Sequence, residues 1–423
     1  MTDFRRHLLA ILWANLIPLA GFVLFDWSTT IFLGVLVLDI WATVFWTLCK
    51  MPFAEKRPPM LQQRAGRIFG TLAQKRGGIS LLDSLPPIYP RNIPTIFVGF
   101  LNSVMLGVLS AVLWVLPYPD LTPTQLGWIL LGGLVVFLVR GVDTWRGYFR
   151  DRGYEQHSSR TVALDQTQQL LAVGILVVSI VLTAAVTGNT EPPFVGDYTL
   201  VTVVFLGKFG ADLRAWHISS DPDRRGWFTR IYGSPDTEHL FESVTIPPED
   251  PTVRVRPARP AALADALFHG FLYLFSTVGF LLVLLALTGL FGAPVLTAAG
   301  LALLGVFMAL RAAVRYLHVG TLEYRCYDDT IVVYDTVLDE PQARLERWSI
   351  TGVSASPTVV DRIGGTETMT LESRVEQNSP RISAPIGSAE IPAPDPDATH
   401  PVTVALVSDA APVLDALGLG NRL

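Results

Sequence analysis

Charged residues are scarce in this sequence. Only 16% of its 423 residues are Asp, Glu, Lys or Arg, whereas 50% are hydrophobic, and the mean hydropathy is +0.41. A soluble domain rarely has so many hydrophobic residues with so little charge, because apolar surface on this scale needs lipid to cover it. The composition therefore excludes an ordinary soluble protein and predicts a membrane protein.

Cysteine is rarer still, and the common catalytic motifs are missing. The two cysteines, Cys49 and Cys326, are too far apart to have the spacing of metal ligands. The sequence contains no His-Glu-x-x-His, Gly-x-Ser-x-Gly, P-loop or dinucleotide-binding motif. We therefore expect a protein that is not an enzyme and that uses no cofactor or metal. No disulfide is expected either, because both cysteines are predicted to lie on the cytoplasmic side of the membrane.

Several apolar runs are long enough to cross a bilayer. An apolar run of about 18 or more residues can cross roughly 30 Å of hydrocarbon at 1.5 Å per residue. Eight runs reach this length, at approximately 8–25, 28–49, 94–116, 124–141, 167–187, 198–216, 266–288 and 294–315. They predict an α-helical transmembrane bundle of about eight spans within residues 1–318.

Lysine and arginine fall in alternate connections between these runs. The connections 26–27, 117–123, 188–197 and 289–293 contain neither, whereas 50–93, 142–166 and 217–265 contain many. Cationic residues resist translocation, so the basic connections are expected in the cytoplasm. The pattern predicts a multi-pass membrane protein with an even number of spans, both termini in the cytoplasm and the lipid bilayer as its first partner. Because the arginines are spread over several loops, no nucleic-acid partner is expected.

Two of the basic connections have features of their own. Residues 60–76 have apolar residues at helical spacing and end with Lys75 and Arg76. They are expected to form an amphipathic helix on the inner leaflet, with basic residues facing anionic head groups, or a solvated helix on the bundle floor. Residues 217–263 are expected to be an irregular loop. Its His217, Asp221 and Asp223 could bind a cation, although a hydrated loop explains them equally well.

The composition changes after residue 318, where alternating strand patterns and turns replace the apolar runs. Residues 321–327 and 330–338 predict a β-hairpin that turns at Asp328 and Asp329. Residues 319–423 are therefore expected to form a small, β-rich cytoplasmic domain. Its later elements are predicted as strands at 348–360, 366–373 and 401–408, a turn at 361–365, and a closing helix with Val413, Leu414 and Leu417, capped by Ser408 or Asp409.

Four segments resemble a haloarchaeal family of multi-pass membrane proteins that is catalogued as a domain of unknown function. The segments are "NLIPLAGFVLFDWS" (15–28), "GKFGADLRAW" (207–216), "RVRPARPAALADALFHGFLYLF" (254–275) and "LEYRCYDDTIVVYDTVLDEPQARL" (322–345). The resemblance implies an archaeal, halophilic plasma-membrane protein without an assigned activity. It also implies a Tyr-Trp-x-Glu element in the second span and histidines in the third. This sequence has Leu38-Asp39-Ile40-Trp41 at the first place, and Asn102 and Ser103 without a histidine at the second.

The C-terminal part also resembles bacterial pleckstrin-homology-like domains that follow membrane spans. The similar stretches are "YRCYDDTIVVYDTVL", "RWSITGVSAS" and "DRIGGTETMTLE" within residues 322–418. This resemblance implies a domain that serves assembly or binds a partner protein and does not catalyse a reaction.

Charged residues inside the apolar runs are the candidates for function. A charge at the centre of a bilayer costs on the order of 2.5–3.5 kcal/mol on insertion scales. Lys208 and Asp212 lie one helical turn apart in the sixth run, so they are expected to form an internal ion pair that stabilises the bundle. Asp39, midway along the second run, has no such neighbour in the sequence. It could reach Lys208 across the bundle or stay protonated, and the three residues could instead line a cavity for an ion or solute.

Other polar residues in the runs are expected to have structural roles. Asn15, Asn102 and His269 are typical of side chains that form hydrogen bonds between helices. Arg140, Arg311 and Arg315 lie near the inner ends of runs, from which they are expected to extend towards the interface.

Two functions remain open on this basis. The first is a non-enzymatic scaffold or interaction protein whose C-terminal domain binds a cytoplasmic protein or its own bundle. The second is a transporter of a small solute or ion that uses Asp39 with Lys208 and Asp212. The sequence leaves the oligomeric state open.

Overall fold

The computed structural model describes residues 2–56, 70–82, 84–115, 121–163, 201–202, 204–210, 212–213, 244–289, 294–373 and 402–420. The chain divides into two compact units. Among the described residues, unit 1 contains those up to 56 and those from 80 to 213. Unit 2 contains residues 70–79 and the described residues from 244 onward. The boundary expected at 318/319 stays a prediction, and unit 2 also includes the helices that precede the sheets.

Unit 1 is helical. Its helices are α1 (Thr2–Leu24), α2 (Thr29–Lys50), α3 (Ile93–Val115) and α4 (Pro123–Thr144), and the described residues between 201 and 213 are helical as well. A capping box begins α4, because Thr122 accepts a hydrogen bond from the Gln125 amide (3.3 Å) and the Gln125 side chain accepts one from the Thr122 amide (3.0 Å). A π-helical turn, Trp145–Arg150, extends α4.

The helices of unit 1 pack through apolar side chains on one face and leave others exposed. Trp27, Ile31 and Val35 bury against Ile129 and Val136 of α4. The opposite face of α4 is apolar yet exposed, including Leu130, Leu131, Leu134 and Leu138. A helix that is apolar on its exposed face is typical of contact with lipid.

Three helices are long and apolar enough to cross a membrane among the described residues. They are Thr29–Phe53, Pro123–Arg150 and Pro294–Val319, and they correspond to the second, fourth and eighth apolar runs. The helix pair Arg259–Phe275 and Thr277–Leu287 would make a fourth if it counts as one span, although it bends by 66°. The fifth run lies outside the described residues, so the number eight stays a prediction.

Unit 2 contains a helical hairpin that carries the bend. Its helices are α5 (Arg259–Leu272), α6 (Thr277–Gly289) and α7 (Pro294–Val319). The helix is interrupted at Ser276. The Ser276 hydroxyl accepts a hydrogen bond from the Gly279 amide at 3.0 Å and so caps the start of α6. Gly270 lets α5 approach α7 closely, because a Cβ at this position would lie 2.8 Å from the Met308 carbonyl oxygen.

Two antiparallel sheets follow. The first contains four strands in the order β1 (Val253–Val255), β2 (Leu322–Tyr327), β3 (Thr330–Asp335) and β4 (Glu340–Glu346). The second contains β5 (Ile350–Ala355), β6 (Glu367–Ser373) and β7 (Val402–Val407). Between β5 and β6 lies the short helix α8 (Val359–Gly364), and α9 (Ala411–Ala416) follows β7. Because β1 precedes α5 and pairs with β2, the helical hairpin is inserted within the first sheet.

The two sheets share one core. Alternate residues of β2 and β3 face it, including Tyr324, Cys326, Ile331 and Val333, because successive side chains of a strand point to opposite faces. The second sheet contributes Met369, Leu371, Val402 and Val404, and α9 closes the core with Val413, Leu414 and Leu417. Tyr324 also joins the sheets through its hydroxyl, which donates to the Thr403 carbonyl (3.0 Å) and accepts from the Ala405 amide (3.1 Å).

Most of the expected β elements are confirmed, with five corrections. The strand expected at 348–360 ends at Ala355, and Val359 and Val360 lie in α8 instead. The hairpin of β2 and β3, the strands β5, β6 and β7, and the closing helix are present. The turn expected at 361–365 is wrong, because Thr358 and Asp361 form a capping box that starts α8. The loop expected through 217–263 contains β1, and β4 was not predicted. The closing helix begins after Ala410, although Asp409 does accept a hydrogen bond from the Ala411 amide (2.9 Å).

A separate apolar core joins the hairpin to the sheets within unit 2. It contains Ala261 and Ala262 at the start of α5, Val319 at the end of α7, and Val360 of α8, with Leu406 of β7. The Ala258 amide donates to the Leu406 carbonyl oxygen at 2.8 Å, directly before α5 begins. Residues 258 and 319 are therefore both attached to the sheets, so the hairpin leaves the β-structure at two fixed points.

Candidate functional site

A polar cluster lies among the helices of unit 1. It consists of Asn15 on α1, Asp39 on α2, Arg140 on α4, and Lys208 and Asp212 in the helical residues described between 201 and 213. Only 1% of the Asp39 side chain and 4% of the Asp212 side chain are exposed. The three charged residues expected from the sequence are thus together, with two further members.

Close contact between α2 and α4 brings two of these residues together. A Cβ at Gly133 of α4 would lie 2.3 Å from Cδ1 of Leu38, the residue before Asp39. A Cβ at Gly34 of α2 would lie 2.9 Å from Cδ1 of Ile129. Only glycine permits this spacing, because any side chain would separate the helices. The short separation lets Arg140 reach Asp39 across the interface.

Arg140 contacts both carboxylates of the cluster. Its Nε lies 3.0 Å from Oδ1 of Asp39, and its Nη2 lies 3.3 Å from Oδ2 of the same residue. The Nη2 atom is also 3.4 Å from Oδ2 of Asp212. The expectation that Arg140 extends to the interface is therefore wrong, because its guanidinium ends on buried acids within the helices. A planar guanidinium suits this bidentate geometry better than an ammonium would.

Lys208 contacts the same two acids from another helix. Its Nζ lies 2.5 Å from Oδ2 of Asp39 and 2.9 Å from Oδ2 of Asp212. It also donates to Oδ1 of Asn15 at 2.9 Å. An ammonium has three hydrogens to donate, and these three acceptors match that number. The expected i,i+4 pair with Asp212 is confirmed, and so is the contact with Asp39.

Asn15 completes the cluster from α1. Its Nδ2 donates to Oδ2 of Asp212 at 2.8 Å and to the Ile11 carbonyl at 2.9 Å, while its Oδ1 accepts from Lys208. One amide therefore contacts an anion and a cation of the same network. The expectation that Asn15 forms hydrogen bonds between helices is confirmed.

The charges of the cluster balance. Two cations, Arg140 and Lys208, each contact two carboxylates, Asp39 and Asp212. Burying one ion without a partner costs several kcal/mol, and mutual contact offsets this cost only when geometry and hydrogen bonding are good. The network satisfies these conditions, and it connects four separate stretches of chain. Chemically, such an arrangement can hold helices in register, and it can also exchange a proton or an ion between neighbouring carboxylates.

The other two candidates lie elsewhere. Asn102 is on α3 with an exposed side chain, and no contact joins it to the cluster among the described residues. His269 is in unit 2, where its Nδ1 is 2.9 Å from the Asp265 carbonyl oxygen and 3.3 Å from Oδ1 of the same residue. Arg315 of α7 donates from Nε to Oδ2 of Asp265 at 2.6 Å. Arg315 therefore has a partner between α5 and α7, contrary to the expectation that it extends to the interface.

Two buried acids in the sheet region of unit 2, Asp335 and Glu323, also pair with cations. Lys75 forms a salt bridge with Asp335, and both side chains are buried, so Lys75 does not face lipid head groups as one expectation had it. Burial lowers the pKa of Lys75, although Asp335 acts in the opposite direction. Glu323 pairs with Arg256 and Arg325. Burial alone would raise the Glu323 pKa, but hydrogen bonds from Arg325 and Arg256 hold it below its ordinary value.

No group of three or more His, Cys, Asp or Glu side chains that could hold a metal ion occurs in the described parts of the chain. His217, Asp221 and Asp223 lie outside those parts. Comparison with known proteins found no matching family model, no matching curated protein and no matching solved structure.

The sequence contained signals for the members that were missed. Apolar residues continue past Arg140 to Val142 and Trp145, which places Arg140 inside the helix, where a charged residue is expected to have a partner. The seventh apolar run is expected to begin at residue 266, so the prediction leaves Asp265 outside the span. The small residues Ala261, Ala262 and Ala266 mark the buried face of α5 and show that the helix begins earlier.

Proposed function

We propose that this chain is an integral membrane protein that acts as a non-enzymatic scaffold. In this proposal the polar cluster holds the helices of unit 1 together. The observation that carries it is the charge balance of the cluster, in which each cation contacts both buried carboxylates. A network that neutralises itself needs no ligand to complete it, which favours a structural role.

The proposal also covers the arrangement of the whole chain. We propose about eight spans and both termini in the cytoplasm, on the strength of the apolar runs and the uneven placement of Lys and Arg. The plasma membrane is proposed as the location because the resemblance to the haloarchaeal family implies it. The sheets of four and three strands with a closing helix support a pleckstrin-homology-like domain. Such a domain would bind a cytoplasmic protein, while the two attachment points of the hairpin hold it at the membrane.

A transporter is the second candidate, and a specific contact favours it. Nζ of Lys208 lies 2.5 Å from Asp39 and 2.9 Å from Asp212, so one ammonium bridges two carboxylates on different helices. Intramembrane acids and lysines at this spacing occur in proton and cation pathways. In this alternative, loss of the bridge would release one carboxylate for an ion.

Two variants separate these functions. Asp39→Asn leaves the cluster with one excess positive charge, whereas Asp39→Asn combined with Lys208→Met restores neutrality. For a scaffold, we expect the single variant to lose about 3–5 kcal/mol of stability and the double variant to lose clearly less than the sum of its parts. The full chain, purified in detergent, would be unfolded thermally to measure this. Asp26→Asn is the matched control, because Asp26 is exposed and has φ 49°, a conformation that asparagine tolerates.

The same variants are then placed in lipid vesicles. A pH-sensitive dye inside the vesicles measures proton flux, and labelled sodium measures cation flux. The scaffold proposal expects no flux above that of empty vesicles for wild type. Flux by the wild-type protein that disappears in Asp39→Asn, while thermal stability is unchanged, would overturn it in favour of the transporter.

A further inference from the structure

The short helix α8 exposes an apolar pair. The side chains of Val359 and Ile363 are 54% and 83% exposed. They are four residues apart and therefore share one face of the helix. Val360 lies on the other face, buried in the core that joins the hairpin to the sheets. The fold thus uses one side of α8 for packing and presents the other as an apolar tip, defined as Val359 and Ile363.

The apolar tip lies at the level where α5 begins. Val360 packs with Ala261 and Ala262 of the first turn of α5, and a Cβ at Gly364 would lie 3.8 Å from Cβ of Ala261. The exposed apolar side chains of α5 start at Leu263. This is two residues beyond Ala261, or about 3 Å along the helix axis. The series continues with Leu267 and Phe271, which are 59% and 50% exposed. The tip therefore lies beside the point at which the exposed apolar side chains of α5 begin.

The charges around the tip suit an anionic membrane surface. Arg362 of α8 and Arg259 at the start of α5 are both exposed. The acid of α8, Asp361, is buried and accepts hydrogen bonds from Thr358 and Thr366. The exposed face of α8 thus combines apolar and cationic groups without an exposed carboxylate. Amphipathic segments of this composition bind at the boundary between head groups and acyl chains.

We infer that Val359 and Ile363 insert into the head-group region of the bilayer beside α5. The occupant of this surface is lipid, because the tip continues the apolar surface of a helix proposed to enter the membrane. This inference rests on the proposed membrane insertion of the chain. Insertion would give the sheets of unit 2 a membrane contact in addition to their attachment to α5 and α7.

A fluorescent label at position 363 tests the inference in the full chain. The variant Ile363→Cys carries an environment-sensitive dye, and Glu372→Cys, exposed near the far end of β6, is its control. Cys49 is replaced by Ala in both. Cys326 is kept, because it is fully buried and burial raises the pKa of its thiol to about 12, so it stays unreactive near neutral pH. Both proteins are reconstituted into vesicles of phosphatidylcholine and phosphatidylglycerol in equal parts.

An alkaline carbonate wash comes first. It tests whether the chain is inserted in the membrane, separately from the position of the tip. If the chain is released, the proposed membrane insertion has failed. If it is retained, the label is read with two quenchers, a lipid with a nitroxide near its head group and iodide in the buffer. We expect the nitroxide lipid to lower the fluorescence of the label at 363 roughly two-fold and to leave that of the label at 372 unchanged. Iodide should quench the label at 372 more strongly than the label at 363. Equal quenching by iodide at both sites would overturn the inference. Protection of site 363 from both quenchers would also overturn it, because protein would then cover the tip.

Discussion

Arg140 donates one hydrogen bond to each carboxylate oxygen of Asp39, with donor–acceptor distances of 3.0 and 3.3 Å. The two bonds fix the plane of the guanidinium, so the rotation of α4 about its axis is tied to that of α2. The same guanidinium reaches Asp212, which couples the helical residues described between 201 and 213 to α2 and α4. One arginine thus sets the relative arrangement of three helical segments.

Arg140→Lys should destabilise the protein although the charge is kept. A lysine ammonium cannot form the bidentate contact with Asp39, and a hydrogen bond to a charged group contributes about 1.5–3 kcal/mol. We expect the free energy of unfolding to fall by about 2 kcal/mol. Thermal unfolding of the purified full chain measures this. Arg152→Lys serves as the control, because the Arg152 side chain is 73% exposed, and equal melting temperatures for the two variants would contradict the role of the bidentate contact.

Two glycines of α4 should respond to alanine with opposite signs. A Cβ at Gly133 would lie 2.3 Å from Cδ1 and 2.9 Å from Cβ of Leu38, whereas one at Gly127 would have nothing within 4 Å. Gly133→Ala should therefore destabilise the helix pair by about 1–3 kcal/mol through overpacking. Gly127→Ala should stabilise by up to about 1 kcal/mol through helix propensity. Melting temperatures of the two variants against wild type test this, and a gain for Gly133→Ala would refute the close approach of α2 and α4.

Tyr324→Phe should weaken the connection between the two sheets. The variant removes a hydroxyl that bonds Thr403 and Ala405, and a buried amide or carbonyl that loses its partner costs about 1–3 kcal/mol. Tyr327→Phe is the matched control on the same strand, because the Tyr327 hydroxyl forms no hydrogen bond among the described residues. Hydrogen exchange of the β7 amides should increase in Tyr324→Phe and stay as in wild type in Tyr327→Phe. The same exchange in both would show that the hydroxyl is dispensable.

Acid should destabilise unit 2 in part through Glu323. Hydrogen bonds from Arg325 and Arg256 outweigh burial and hold the Glu323 pKa below its ordinary value of 4.5. Because the folded state binds this proton more weakly than the unfolded state, the contribution of Glu323 is present above pH 4.5 and is lost as the pH falls further. Melting temperatures of wild type and Glu323→Gln, measured from neutral pH down to about 3, should converge on acidification.

The exposed Glu372 provides the reference for this pH experiment. Glu372→Gln should follow the wild-type curve throughout. If Glu323→Gln instead ran parallel to wild type across the whole range, the ion pairs of Glu323 with Arg256 and Arg325 would contribute nothing to the pH dependence.

The sequence analysis identified the acids and the lysine of the polar cluster, whereas it missed Arg140 as a member. Asp39, Lys208 and Asp212 stand out because a charge within an apolar run is rare and costly. Their mutual contact follows from the need of each charge for a partner. Arg140 was assigned to a helix end because the run was cut at 141, but the π-helical turn Trp145–Arg150 extends the helix beyond it. Helix ends depend on local hydrogen bonds that an apolar pattern does not record.

For the sheets, too, the sequence pattern predicts only part of the structure. The hairpin of β2 and β3 has a strong alternating pattern and an acidic turn, and both were predicted correctly. β1 was missed because three residues with a central Arg254 become a strand only through pairing with β2, which lies on the other side of the hairpin. α8 was missed because its capping box uses Asp361, which also reads as a turn residue. The spacing of apolar residues records neither the pairing of a strand with a distant partner nor a local capping box.

The position of β1 has a consequence for biosynthesis. This strand leaves the ribosome before α5, α6 and α7, and its partner β2 emerges only after them. The first sheet therefore cannot close until the entire helical hairpin has been synthesised and its two ends brought together. Completion of the first sheet is thereby timed by the hairpin, and a nascent chain stalled between the two strands would leave β1 without its partner.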